Sequence, residues 1–271
     1  MRRFLETRGA RVGLFIVVLA VGAALVAPFA APYPPERQDI AILLSGPSAA
    51  HLLGVDDLGR DVLSRVLFGA RVSLAVGVIA VGISLVIGLP IGLVSGYVGG
   101  VVDNVLMRIM DGLLAFPALV LALGISAVLG PSLENAMIAI GVVGVPTFAR
   151  LVRGGALAVR NLEYILAARA IGVSQVRILV RHVLPNVVSP VIVQASLAVG
   201  TAILTEATLS FLGLGVQPPT PSWGSMVDAG KGYLDAAPWF ALAPGAAIFV
   251  TVIGFNFLGD ALRDALDPRL R

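Results

Sequence analysis

No cysteine occurs among the 271 residues, which removes disulfide frameworks and thiolate metal sites together. Histidine is nearly absent: His51 and His182 stand far apart in sequence and make no ligand cluster. Charged residues are only 13% of the chain, against ~25% in soluble globular domains. A water-soluble chain of this size would need far more polar surface. Lysine is a single residue, Lys231, and the other 18 basic residues are arginine. A phosphate-binding loop needs G-x4-G-K-[ST], so that backbone amides and a lysine cradle the phosphates. The lone lysine lies in GSMVDAGKG, with one residue too many between the glycines and Gly232 after it, so the pattern fails. No nucleophile–base pair and no metal-ligand spacing occurs either. The sequence therefore offers no catalytic, cofactor-binding or metal residue.

What is abundant is uninterrupted apolar sequence. Hydrophobic residues make up 58% of the chain, and the mean hydropathy is +0.96. A membrane span needs roughly 20 apolar residues. Uncharged runs of 24 (Arg11 to Glu36), 31 (Arg71 to Asp103), 22 (Asp111 to Glu134), 24 (Arg181 to Glu206) and 24 (Asp235 to Asp260) residues meet that need. Between Glu134 and Arg150 only 15 uncharged residues remain. That run reaches a span's length if its helix continues through LVRGGALAV, with Arg150 and Arg153 snorkelling at the inner boundary. The fold class expected is an all-α integral membrane protein with six transmembrane helices.

Direction follows from arginine. The N-terminal tail carries Arg2, Arg3, Arg8 and Arg11 against Glu6, and residues 150–185 carry six arginines against Glu163. Six spans place both on one side, which the arginine bias makes cytoplasmic, the C-terminus with them. A cleaved secretory signal is the competing reading of the first segment. Its apolar part is too long for that, and nothing downstream resembles a soluble mature domain. In the outer loop, DDLGRDVLSRVLFGAR reads as a surface helix with Leu58, Val62 and Val66 on one face and Asp61 paired to Arg65. Pro90, Pro117, Pro146, Pro190 and Pro244 fall within spans, marking either close packing through small residues or hinged helices around a path.

One stretch resists the bilayer altogether. AARAIGVSQVRILVRHVLPN (residues 167–186) is basic and glycine-broken. Asn161 to Ile171 reads as a short helix with Leu162, Ile165 and Leu166 on one side. Gly172 stands where a left-handed residue ends a helix, and Ser174 where a cap starts the next. Val176, Leu179, Val180 and Val183 then give an apolar face opposite Gln175, Arg177 and Arg181, up to a stop at Leu184–Pro185. A DNA-binding helix-turn-helix would need a soluble domain around it, and no nucleic-acid partner is expected. An arginine-anchored loop on lipid headgroups and a docking element with a fixed bend both remain open.

The segment resembles the EAA loop of binding-protein-dependent ABC importer permeases: EAA, three residues, Gly, then Leu-Pro. Ala167, Ala168, Gly172, Leu184 and Pro185 match in register; Leu166 replaces the motif glutamate, and Glu163 lies one turn earlier. HLLGVDDLGRDVLSRVLFGARVSL, GGVVDNVLMRIMDGLLAFPALVLAL, EATLSFLGLGVQPPTPSWG and GDALRDALDP resemble the second permease subunit of dipeptide, oligopeptide and nickel importers. The resemblance implies a type I ABC importer permease fold, in which the EAA loop is a cytoplasmic coupling helix seated on an ATPase subunit. It implies residues 1–69 as tail, first span and outer loop, 70–260 as a five-helix core with coupling loop 159–185, and 261–271 as a cytoplasmic tail. Glu163, Ala167, Ala168, Arg169, Gly172, Arg177, Leu184 and Pro185 are the coupling residues so implied, with Ala168 facing the ATPase groove. The implied partners are a homologous second permease, two cytoplasmic ATPases that bind the ATP, and an extracytoplasmic substrate-binding protein. The implied location is the inner membrane of a prokaryote, and the implied activity is peptide import by alternating access without catalysis by this chain.

Three further residues are candidates for the path or for helix packing. Glu206 ends the fifth apolar run among Thr205, Thr208 and Ser210, at a depth where a carboxylate is costly and often functional. A local cap or pairing across a subunit contact is the favoured reading. Asp111 pairs by spacing with Arg108 and anchors a helix end, and Pro117 falls within the third span. A stand-alone secondary transporter or channel is the alternative function; it usually carries ionisable groups at mid-membrane, and here only Glu206 qualifies.

Overall fold

The computed structural model describes residues 7–266. Their long apolar runs form helices because a backbone in lipid must satisfy its own hydrogen bonds. Helix α1 (Arg8–Ala30) begins at Thr7, whose Oγ1 accepts the Ala10 N–H at 3.3 Å. Then come α2 (Val62–Val98), α3 (Gly100–Leu114), α4 (Ala118–Leu129) and α5 (Leu133–Val159). The short α6 (Glu163–Ala170) and α7 (Gln175–Ile178) lead through a π-turn (Leu179–Val183) into α8 (Leu184–Phe211). After α9 (Trp223–Gly230), α10 (Pro238–Leu266) completes the bundle. The last five residues of the expected C-terminal tail, 267–271, and the arginines at 2 and 3 lie outside the described residues.

Five helices are long and apolar enough to cross a membrane: α1, α2, α5, α10 and the continuous helix Gln175–Phe211. In place of the expected third span stand α3 and α4, a pair apolar enough to cross together but bent by 89° at their junction. This corrects the expected third span. Pro117 has no N–H to give and disfavours helical backbone at Phe116, so the apolar run from Asp111 divides between the end of α3 and a separate α4 of 12 residues. The soft fourth span is a single helix of 27 residues that runs through LVRGGALAV, as its length required.

Helix α2 packs along α5 through Gly88, Gly92 and Gly96, one per turn. A Cβ on Gly92 would stand 2.4 Å from the Ala149 carbonyl oxygen, and one on Gly96 2.6 Å from that of Arg153. Small residues at four-residue spacing let two backbones approach where no hydrophobic force separates helix from lipid. Ser84 extends the seam by donating to the Gly141 carbonyl at 2.7 Å.

The stretch DDLGRDVLSRVLFGAR forms no separate surface helix. Residues 56–60 form a turn, and the helix starts only at Val62 because Asp61 caps it, accepting the Ser64 N–H at 2.7 Å. Asp61 pairs with His51 at 2.9 Å rather than with Arg65. Arg65 turns to Asp56 at 3.5 Å, and Arg60 meets the same carboxylate at 2.6 Å. The pKa of the Asp57 carboxyl is raised from its ordinary value, chiefly by burial and then by the charge of Asp56.

Candidate functional site

The basic segment stands at the end of the bundle formed by the C-terminal ends of α2 and α5. Helix α6 closes as the turn chemistry demands. Gly172 has φ +82°, the Gly172 N–H bonds to the Arg169 carbonyl, and the Val173 N–H bonds to that of Ala168. That pair of bonds is a Schellman closure, which needs a left-handed residue at this place. Ser174 occupies the position before α7, but its side chain makes no capping hydrogen bond.

The faces of the two helices differ from the expected ones. Ile165 and Ala168 are buried in the chain's own core, so Ala168 does not face outward toward a partner. What α6 presents is Glu163, Tyr164, Leu166, Ala167 and Ala170, followed by Ile171 at 80% exposed. In the second helix the buried residues are Ile178 and Val183, while Val176 and Val180 are exposed. The cause is the π-turn. The Leu184 N–H reaches back five residues to the Leu179 carbonyl, so positions five apart share a face instead of positions three and four apart. Nor does the helix stop at Leu184–Pro185. Pro185 stands in the first turn of α8, where its missing N–H is tolerated. Asn186 Nδ2 donates to the His182 carbonyl at 2.6 Å.

Arginines tie this segment to the bundle. Arg169 Nε donates to Tyr97 Oη at 3.1 Å, with its guanidinium 4.7 Å from the ring centroid. Tyr97 Oη in turn donates to Gln175 Oε1 at 2.5 Å. Tyr97 belongs to the last turn of α2, so α2, α6 and α7 share one hydrogen-bonded junction. Arg160 donates to the Gly96 carbonyl at 3.2 Å in the same turn of α2. Two turns further in along α5, Arg153 grips Asp103 with two bonds of 2.6 and 2.7 Å, and Ser95 donates to the same carboxylate. Arg150 meets Asp111 at 2.5 Å. Arg150 and Arg153 fasten α5 to α3. Asp111 takes Arg150 as its partner and not Arg108, because α3 lies against α5. Arg177 is exposed and Leu184 half-buried. Sequence reasoning missed Tyr97 and Gln175, whose signal was only an aromatic and an amide flanking a basic loop.

Glu206 lies elsewhere, fully buried near the opposite end of α8. Ser210 Oγ donates to its Oε1 at 2.6 Å and Ser73 Oγ to its Oε2 at 3.5 Å. These hydroxyls accept the N–H groups of Val216 at 3.1 Å and Trp223 at 3.4 Å. Among the described residues no cation pairs with it. Pro117 precedes α4 at the bend and has no part in either cluster.

Residues 88–271 match the family model described as binding-protein-dependent transport system inner membrane component. Residues 1–47 match the N-terminal TM domain of oligopeptide transport permease C. The dipeptide transport system permease protein DppC of Alkalihalophilus pseudofirmus is 47% identical, over 96% of this chain and 86% of its own length. The glutathione transport system permease protein GsiD of Shigella flexneri serotype 5b is 49% identical, over 100% of this chain and 89% of its own length. Among solved structures, a chain of the inward-facing MetNI methionine ABC transporter superposes with a TM-score of 0.61 at 20% identity, covering 74% of this chain and 96% of that one. The last likeness is one of fold.

Proposed function

Because the chain belongs to the family of binding-protein-dependent transport system inner membrane components, the permease subunits of ABC importers, we propose that α6 and the turn after it are the element through which partner ATPases drive this permease. The reading of a stand-alone secondary transporter or channel is overturned by that membership. The cargo we infer is peptide, a reading supported by the dipeptide and glutathione named for its relatives. The chain itself binds no nucleotide in this reading; two cytoplasmic ATPase subunits hydrolyse ATP. A homologous second permease supplies the other half of the path, and an extracytoplasmic binding protein delivers cargo. The N- and C-termini then lie on the cytoplasmic side of a prokaryotic inner membrane.

One observation carries the proposal. Helix α6 is rooted by Ile165 and Ala168, yet leaves Leu166, Ala167, Ala170 and Ile171 exposed beside Glu163 and Arg177. An apolar ridge with a polar border suits a protein groove better than water. Motion of a seated α6 is passed on by the Arg169–Tyr97–Gln175 junction to the end of α2, and by the Arg153–Asp103 pair between α5 and α3. Alternating access needs two packings of this kind with different affinities for cargo and nucleotide-bound ATPase.

The test follows from the corrected face. Ala167→Asp and Ile171→Asp place a charge on the ridge without touching the chain's core. A desolvated, unpaired carboxylate costs several kcal/mol, and a loss of about 2.8 kcal/mol is already a hundredfold in association. Both variants are expected to insert, retain the second permease, and lose bound ATPase and peptide uptake. Wild-type ATPase-to-permease ratios in the purified complexes, with normal uptake, would remove α6 from the coupling role.

A further inference from the structure

A cavity of about 190 Å³ opens at mid-bundle between α2, α5 and α8, with Ala118 at the start of α4 closing one side. Its polar lining is Ser84, Thr147, Gln194, Thr201 and Thr205. No ionisable residue contributes. Gln194, Thr201 and Thr205 recur at spacings of seven and four, so α8 presents them on one face. From Gln194 to Thr205 that face runs roughly 16 Å along the helix, across the middle of the apolar layer. Thr147 and Thr201 are exposed on their helices. Hydroxyl and amide groups turned outward at this depth suit water or a polar partner better than acyl chains.

The hydrogen bonds within the chain say what the wall has left to offer. Ser84 donates its proton to the Gly141 carbonyl at 2.7 Å, Thr205 to the Thr201 carbonyl at 2.9 Å, and Thr201 to the Leu197 carbonyl at 3.4 Å. These three oxygens keep only lone pairs for a visitor. The Gln194 carboxamide makes no hydrogen bond among the described residues, so it retains both donors and its acceptor. The wall is thus rich in acceptors, has two groups that can both give and take, the Gln194 carboxamide and the Thr147 hydroxyl, and has no charge of either sign. It fits an N–H and C=O pair. It holds neither a carboxylate, which would lack a cation, nor an ammonium, which would lack an anion.

We propose that Gln194 contacts the backbone amide of the passing peptide, against an uncharged acceptor wall of Ser84, Thr201 and Thr205 that is indifferent to the charge of the cargo's side chains. This rests on the peptide-permease reading above. Gln194 is a specificity-determining residue in this assignment.

The experiment uses the complete importer in proteoliposomes and compares uptake of three peptides of equal length, with a neutral, a cationic and an anionic side chain. In Gln194→Leu the rate falls about tenfold for all three alike, the size of one neutral hydrogen bond. Gln194→Glu keeps the shape but brings a carboxylate, so the cationic peptide gains on the anionic one by about fivefold or more, a change that loosened packing would not produce. The ATPase-to-permease ratio of each purified complex checks assembly. Wild-type import with both variants showing the wild-type rates and order of cargo overturns the assignment alone. A wild-type complex that hydrolyses ATP but imports no peptide overturns the parent reading as well.

Discussion

A buried carboxyl usually finds a cation, but Glu206 finds hydroxyls. Ser210 and Ser73 each pass a hydrogen bond from a backbone N–H of the outer segment to this one side chain. The carboxyl therefore joins α2 and α8 to Val216 and Trp223, and we propose that its role is packing. Glu206→Gln retains an acceptor oxygen for Ser210, and most uptake is expected to survive. Glu206→Leu leaves two buried hydroxyls without their acceptor, costing about 1–3 kcal/mol for each, and should lower the yield of assembled importer and its thermal midpoint. Loss of uptake in a fully assembled Gln variant would instead make the ionised carboxylate part of the transport cycle.

At the scale of elements, the α2–α5 seam and the α6 closure are the two places where backbone geometry admits little substitution. Gly92 faces the Ala149 carbonyl so closely that any side chain must push the helices apart. Overpacking of this kind typically costs about 1–3 kcal/mol, and more against rigid backbone. Gly92→Val should therefore lower the midpoint of detergent-solubilised thermal unfolding by several degrees, whereas Gly82→Val, with open space at its Cβ, should leave it unchanged. Equal shifts for the two would deny the seam. Gly172 differs in kind. Nothing crowds it, but its φ of +82° is strained for a β-branched residue. Gly172→Val is expected to unseat α6 and cut ATPase capture while the spans and the second permease stay in place.

For the whole molecule, the decisive quantity is orientation. If α3 and α4 together cross once, the loop before α2 and the segment before α9 share one side and α6 takes the other. Single cysteines at Gln38 and Gln217 should react with an impermeant maleimide from outside intact cells, and one at Asn161 only after permeabilisation. These positions are exposed, and the natural absence of cysteine gives a clean background. Labelling of Asn161 from outside would invert the molecule and place α6 out of reach of any cytoplasmic ATPase.

The sequence by itself determined the class, the apolar helices and the turn at Gly172. Uncharged run length and glycine's access to positive φ are local properties, legible without knowing neighbours. The seam of Gly88, Gly92 and Gly96 is one that a four-residue spacing makes readable after the fact. Which face of each helix turns inward was decided only by tertiary structure. The π-turn shifted the buried set to Ile178 and Val183, and burial of Ile165 took Ala168 into the core, so the exposed ridge is Leu166, Ala167, Ala170 and Ile171. Charge partners were likewise decided in three dimensions. Spacing along one helix offered Arg108 to Asp111 and Arg65 to Asp61, but helices lying side by side brought Arg150 and Arg153 to α3, and the outer loop brought His51 to Asp61. The nearest opposite charge is set by which elements pack together, and in these pairs it comes from another part of the fold.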